Sequence, residues 1–179
     1  MGLDIHAASH LRHVGPIPEG DEFDRLEERV NAHDKCLDEV YFLLYPNDAD
    51  WEEHLAGSEP GLYEYSAATE QHEFRAGPYS YYNTWREQLS RLALGVEPSV
   101  VWENPDQFAG RPFVELIHFT DCDGRIGARL AAKLATDFRA HATSAEEFAA
   151  SLSESFIGNY RDFMRAFELA AQQGALAFC

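Results

Sequence analysis

Asp4, His6, His10 and His13 stand close enough along the chain to share a divalent metal. Imidazole and carboxylate suit zinc and its neighbours, and steps of four and three would gather the histidines on one helical face. Leu3 to Ala7 alternates apolar and polar residues, however, which reads as a strand. A strand puts Asp4, His6 and His10 on one face and His13 on the other, so Asp4, His6 and His10 are the metal candidates. Histidines exposed without a metal are the commoner arrangement, and no cofactor is expected. A second cluster runs from Tyr79 to Arg86, Tyr-Ser-Tyr-Tyr-Asn-Thr-Trp-Arg. Tyr82, Trp85 and Leu89 recur at helical spacing and belong in a core, which leaves Tyr79, Tyr81 and Arg86 to line a cleft for a planar or anionic ligand. Glu115 and His118 sit in the apolar run Phe113–Phe119. If Glu115 is buried it needs a cation such as Arg86, because an unpaired carboxylate is costly away from water.

That apolar run leads into Thr120-Asp121-Cys122-Asp123-Gly124. Asp-x-Asp-Gly after a strand resembles the first motif of the haloacid-dehalogenase-type phosphohydrolases. The resemblance implies Asp121 as nucleophile, Asp123 as acid/base, and magnesium to offset the phosphate charge. The match stops there. Arg125 stands where that family has Thr or Val, and Lys133 is the one lysine downstream. The remaining chain lacks the strand–helix alternation of a doubly wound sheet. A simpler role fits the same residues: Asp121 or Asp123 caps a helix starting near Arg125, and Gly124 supplies the turn.

The elements that would position these groups follow from periodicity and punctuation. Residues 15–22 form a Pro- and Gly-rich turn, and Phe23, Leu26 and Val30 mark a thin amphipathic helix to about Ala32. Val40–Tyr45 is a short strand stopped by Pro46. Residues 46–60 read as a loop with a helical turn near Trp51, and Leu62–Tyr65 with His72–Arg75 as a hairpin. Ser80 caps a helix that ends at Gly95. Phe113–Phe119, apolar on both faces, reads as an interior strand. A helix follows with Leu130, Leu134 and Phe138. Ser144-Ala145-Glu146-Glu147 forms a capping box opening another, whose stripe breaks near Gly158. Gly174 stops that helix, and Ala175–Cys179 returns as a terminal strand.

These elements predict an α+β fold in one domain over residues 1–179. A mixed or antiparallel sheet comes mainly from the first two-thirds and packs on helices concentrated in the last third. A chain of 179 residues with 45% hydrophobic residues buries a core without staples. Three cysteines, Cys36, Cys122 and Cys179, form neither a zinc knuckle nor an even disulfide set. No basic-then-apolar leader opens the chain and no run is long enough for a membrane span, so the expected compartment is the cytoplasm.

Charge narrows the partners. The net charge is −17, and residues 1–110 hold 22 acidic against 7 basic side chains. Such a field repels nucleic acid and anionic membranes and attracts basic proteins or cations. Solubility or adaptation to salt accounts for the same imbalance, and weighs more.

The Met-Gly-Leu-Asp-Ile opening, the stretches Gly77–Arg86, Glu115–Gly127 and Lys133–Phe138, and the closing Ala-Leu-Ala-Phe-Cys resemble a family of uncharacterised proteins from bacteria and their phages. The resemblance implies a stand-alone domain and no particular activity. The expected function is a non-catalytic, acidic binding protein. The alternative is a small metal-dependent hydrolase using Asp121 and Asp123 with His118 and Glu115.

Overall fold

Leu3, Ile5 and Ala7 alternate with Asp4 and His6, and the chain uses that alternation as a strand, β1 (Leu3–Ala8), with the apolar set fully buried. The computed structural model describes residues 2–46, 51–119, 123–150 and 154–179. β1 lies between β5 (Gln71–Gly77) and β7 (Ala175–Phe178), and β7 pairs in turn with β6 (Gly124–Gly127). All three pairings are antiparallel. A second antiparallel sheet has the order β2-β4-β3, from β2 (Arg12–Gly15), β4 (Gly61–Glu64) and β3 (Tyr41–Leu44). The fold is α+β, as the sequence predicts.

The four-stranded sheet is covered on both faces. Ile5 is registered with Phe74 on one side and Phe178 on the other, so these side chains share a face. That face meets α3 (Tyr79–Leu94), α7 (Ala128–Ala149) and α8 (Glu154–Ala170), burying Tyr82, Trp85, Leu134, Phe138, Phe163 and Phe167. Trp85 stacks on Phe163 with ring centres 4.6 Å apart. On the opposite face Ala8, Ala175 and Ala177 form a second, smaller core with Phe42, Leu44 and Tyr63 of the three-stranded sheet. Small residues there let the two sheets approach. Helices, large sheet and small sheet make three layers. α1 (Asp21–Asn31), with Leu26 and Val30 buried, packs beside the 3-10 turn Leu37–Glu39 that leads into β3.

Several sequence expectations hold. β1, β3, α1 and β7 form where predicted, α2 (Trp51–His54) supplies the helical turn, and α3 ends at Gly95 in the left-handed region, φ 72°. Others are corrected. Phe113–Phe119 is no strand: α6 (Val114–His118) occupies it, after α4 (Pro98–Glu103) and α5 (Pro105–Phe108). The buried Phe113, Val114, Leu116 and Ile117 fit a helical spacing as well as a two-faced strand, and a short apolar run does not distinguish them. β4 and β5 exist, but they lie in different sheets and form no hairpin. Pro78, not Ser80, precedes the first residue of α3. α7 runs unbroken through Ser144–Glu147, where Glu146 pairs with Arg161 at 2.7 Å instead of opening a helix. α8 likewise continues through Gly158.

The expected cap also fails. Gly124–Gly127 is a strand, and the helix begins at Ala128, so Asp123 is too far away to cap it. The cap comes from another segment: Ser58 Oγ accepts the Ala128 N–H at 3.1 Å and the Ala56 carbonyl accepts that of Arg129 at 3.1 Å. Asp121 lies outside the described residues.

Candidate functional site

Register decides which polar groups meet. On the face of the large sheet turned toward the small sheet, Asp4 pairs with Arg75, His6 with Glu73 and Ala177, and Arg125 with Ala177. Opposite them stand Tyr41, Phe42 and Leu43 of β3, Tyr65 just beyond β4, and Asp38 in the 3-10 turn Leu37–Glu39. Together they enclose a cavity of about 430 Å³ between the sheets, within the usual range of small-ligand sites.

His6 is a half-buried titratable group on the cavity wall. Its Nε2 lies 3.2 Å from Gln71 Oε1 and 3.7 Å from Glu73 Oε1, and its ring centre 5.4 Å from that of Phe42 and 6.2 Å from that of Tyr65. Burial pushes the imidazole pKa below 6.5, against the pull of Glu73, the Gln71 hydrogen bond and Asp38, while Arg125 adds to the lowering. Burial, then Asp38 and Glu73, push the Tyr65 phenol well above its ordinary value, so it stays protonated. Burial also raises the Cys179 thiol, with Arg125 opposing.

Arg125 lines the cavity and is already engaged. Its Nε donates to the Leu43 carbonyl at 3.2 Å, Nη1 to Asp123 Oδ1 at 3.0 Å and to the Phe178 carbonyl at 3.2 Å, and Nη2 to Tyr45 Oη at 3.0 Å. The guanidinium also lies 4.6 Å over the Tyr45 ring. It fastens β6 and β7 to β3. The cavity carboxylates are held more loosely. Among the described residues Asp4 has one ion pair, with Arg75 at 3.9 Å, and both side chains are exposed. Glu73 is 70% exposed beside His6, and Asp38 has no ion pair among the described residues.

Of the metal candidates, Asp4 and His6 reach the cavity and His10 does not. His10 is exposed past the end of β1 with φ 49°, and its backbone N–H binds the Gln172 carbonyl at 2.8 Å. His13 stands apart on β2, 3.8 Å from Glu59. Among the described residues no group of three or more His, Cys, Asp or Glu is placed to hold a metal ion.

The remaining described candidates are dispersed, and none of them lines the inter-sheet cavity. Tyr79 packs on the main core, and Tyr81 has a buried hydroxyl with no hydrogen-bond partner among the described residues. Arg86 is buried under α6. There it donates to the carbonyls of Ile117 and Phe119 and to Asn83 Oδ1, with the Tyr82 ring 5.0 Å below. It caps the C-terminal end of α6. Glu115 finds its cation in Lys133 rather than Arg86, and Lys133 also meets Asp137 at 2.8 Å. His118 is exposed, and Asp123 is tied to Arg125.

The sequence does not mark Asp38, Tyr65, Glu73 and Arg125 as site residues. They come from segments far apart in sequence, so no spacing links them. The alternation in Gln71–Arg75, which puts Glu73 opposite the face of Phe74, was the one usable signal. No family model matches the chain, and neither a curated protein nor a solved structure matches it. Three carboxylates and the rings of Tyr41, Phe42 and Tyr65 around one opening can hold a cation by charge-assisted hydrogen bonds and contact with aromatic faces.

Proposed function

We propose that this protein is a non-catalytic binding protein that takes a cationic group, supplied by a basic partner protein, into the cavity between its two sheets. One observation carries the reading: Asp4, Asp38 and Glu73 line an aromatic-walled cavity whose arginine, Arg125, is already bound to Asp123, Tyr45 and backbone carbonyls. The charge of −17 supports it, because a negative field speeds encounter with a basic surface and disfavours nucleic acid. A hydrolytic centre would instead need Glu115, His118 and Asp123 within reach of one substrate. Glu115 is bound to Lys133 on α7, His118 is exposed at the end of α6, and Asp123 pairs with Arg125 on β6.

The test is a titration of the ¹⁵N-labelled protein with a short arginine- and lysine-rich peptide and with its Glu-substituted counterpart. Saturable shifts at His6, Asp38, Tyr41 and Glu73 with the basic peptide alone, weakened by salt, are expected. Equal response to both peptides, or shifts confined to other surfaces, would remove the proposal.

A further inference from the structure

A second cavity, about 520 Å³, lies between the C-terminal end of α1 and the start of β3. Its lining is Arg29, Val30, His33, Lys35, Val40 and Tyr41. Three of these six are basic and none is acidic, the reverse of the chain as a whole. Neither Arg29 nor Lys35 has an ion pair among the described residues, although most other cations do. Arg91, Arg139, Arg161 and Arg165 each sit within 3 Å of a carboxylate oxygen. In a protein with this excess of acid, cations left unpaired around one concavity are out of keeping with their surroundings.

Arg29 belongs to the last turn of α1, where a cation complements the helix dipole. That accounts for Arg29 alone. Lys35 follows the helix, past Asp34 in the left-handed region at φ 57°. His33 is oriented by its own backbone: Nδ1 donates to the Arg29 carbonyl at 2.9 Å, which leaves Nε2 without a protein partner among the described residues. The floor is apolar, with Val30 buried and Val40 and Tyr41 half-buried.

We infer that this cavity binds a small organic anion, a phosphate or carboxylate head on an apolar body, with the head between Arg29 and Lys35 and the body on Val30, Val40 and Tyr41. A guanidinium offers a planar fork matched to either head, and an ammonium adds a mobile point charge. The volume suits such a molecule. The negative net charge does not forbid it. Charges beyond about 8 Å are largely screened at physiological salt, so contacts in the cavity decide affinity. The site is independent of the cation-binding proposal, although Tyr41 walls both cavities.

The experiment uses phenyl phosphate as probe and follows backbone amides by NMR, with benzyl alcohol and benzylamine as neutral and cationic controls. Phenyl phosphate should give saturable shifts at Val30, His33, Lys35, Val40 and Tyr41, with the controls weaker by about tenfold or more. The double variant Arg29→Gln/Lys35→Gln should lose most of that affinity. Should the Arg29 change fray α1, Lys35→Gln alone lies outside the helix and should still weaken binding severalfold with an unchanged circular dichroism spectrum. Absence of saturation at millimolar probe, equal binding of benzyl alcohol, or undiminished binding by both variants would overturn the inference.

Discussion

Asp137, on α7, accepts the backbone N–H of Phe113 at 2.9 Å, and Phe113 sits in the left-handed region at φ 61° immediately before α6. Phe113 is fully buried, with its ring 4.8 Å from that of Phe138. The carboxylate therefore satisfies a free N–H at the start of the helix, while Lys133 holds both Asp137 and Glu115. Arg86 completes the other end through the carbonyls of Ile117 and Phe119. A five-residue helix gains little from its own hydrogen bonds, so these distant side chains and its buried residues hold it in place.

Asp137→Ala should destabilise the protein by about 1–3 kcal/mol, the cost of a buried N–H left without an acceptor. Asp137→Asn keeps an acceptor and should cost less. Urea unfolding of the three proteins checks the order. Equal midpoints would show that Asp137 does not hold the start of α6.

How far the sequence was legible follows from the same contrast. β1, β3, α1 and β7 declare themselves through alternation or helical period, signals carried within each segment. α6 does not, because its apolar residues suit either state and the deciding partners, Asp137 and Arg86, lie 24 and 31 positions away from Phe113 and Ile117. The same locality limit produced the false hairpin: β4 and β5 look like neighbours, yet β5 registers with β1 some seventy residues earlier. At the site, Asp4 and His6 were visible because β1 alternates, whereas Asp38, Tyr65, Glu73 and Arg125 join them only through sheet register and the meeting of two sheets.

Gly174 joins α8 to β7 where the chain passes against β1. A Cβ there would overlap the Ala8 carbonyl oxygen and lie 2.9 Å from Ser9 Cα, so the obstacle is backbone and cannot swing aside. Gly174→Ala should therefore cost at least about 1–3 kcal/mol and disturb the β1–β7 pairing. The strand it introduces carries Leu176 and Phe178 into the main core, both fully buried. Phe178→Ala should cost about 3–5 kcal/mol, since that ring lies 4.7 Å from Phe119. Thermal and urea unfolding measure both. A melt unchanged in either variant would show that the terminal strand is dispensable.

His6 should make stability depend on pH in one direction. Its folded pKa is depressed by burial, so above 6.5 both folded and unfolded forms are neutral and its stabilising burial is fully present. As pH falls below 6.5 the unfolded chain takes the proton first, and stability is lost progressively through the folded pKa. His6→Phe keeps a ring against Phe42 and Tyr65 but cannot titrate. The stability of the wild type relative to His6→Phe should thus fall between about pH 7 and pH 5. Parallel pH curves for the two proteins would mean that the imbalance between burial and the surrounding carboxylates is absent.

Asp38 offers the most direct test of the inter-sheet cavity, because it acts there from the small sheet's side. It lines the cavity with His6 of the large sheet and with Tyr65, and its carboxylate pulls upward on the pKa of both. Asp38→Asn should lower the His6 pKa further, and Glu73→Gln should do the same, each readable from the imidazole proton resonances without any ligand. Binding follows from the same geometry. An exposed ion pair contributes about 0.2–1 kcal/mol, so Asp38→Asn alone should weaken a basic peptide by a fewfold. The triple change Asp4→Asn/Asp38→Asn/Glu73→Gln removes all three carboxylates and should weaken it by roughly ten- to a hundredfold, with much of the salt dependence lost. Two outcomes separate the structural claim from the functional one. A shifted His6 pKa with unchanged peptide affinity would leave the cavity as described and place the partner elsewhere on the acidic surface. An unshifted pKa in both single variants would mean that Asp38 and Glu73 do not share a cavity with His6, and the cation site would fall with it.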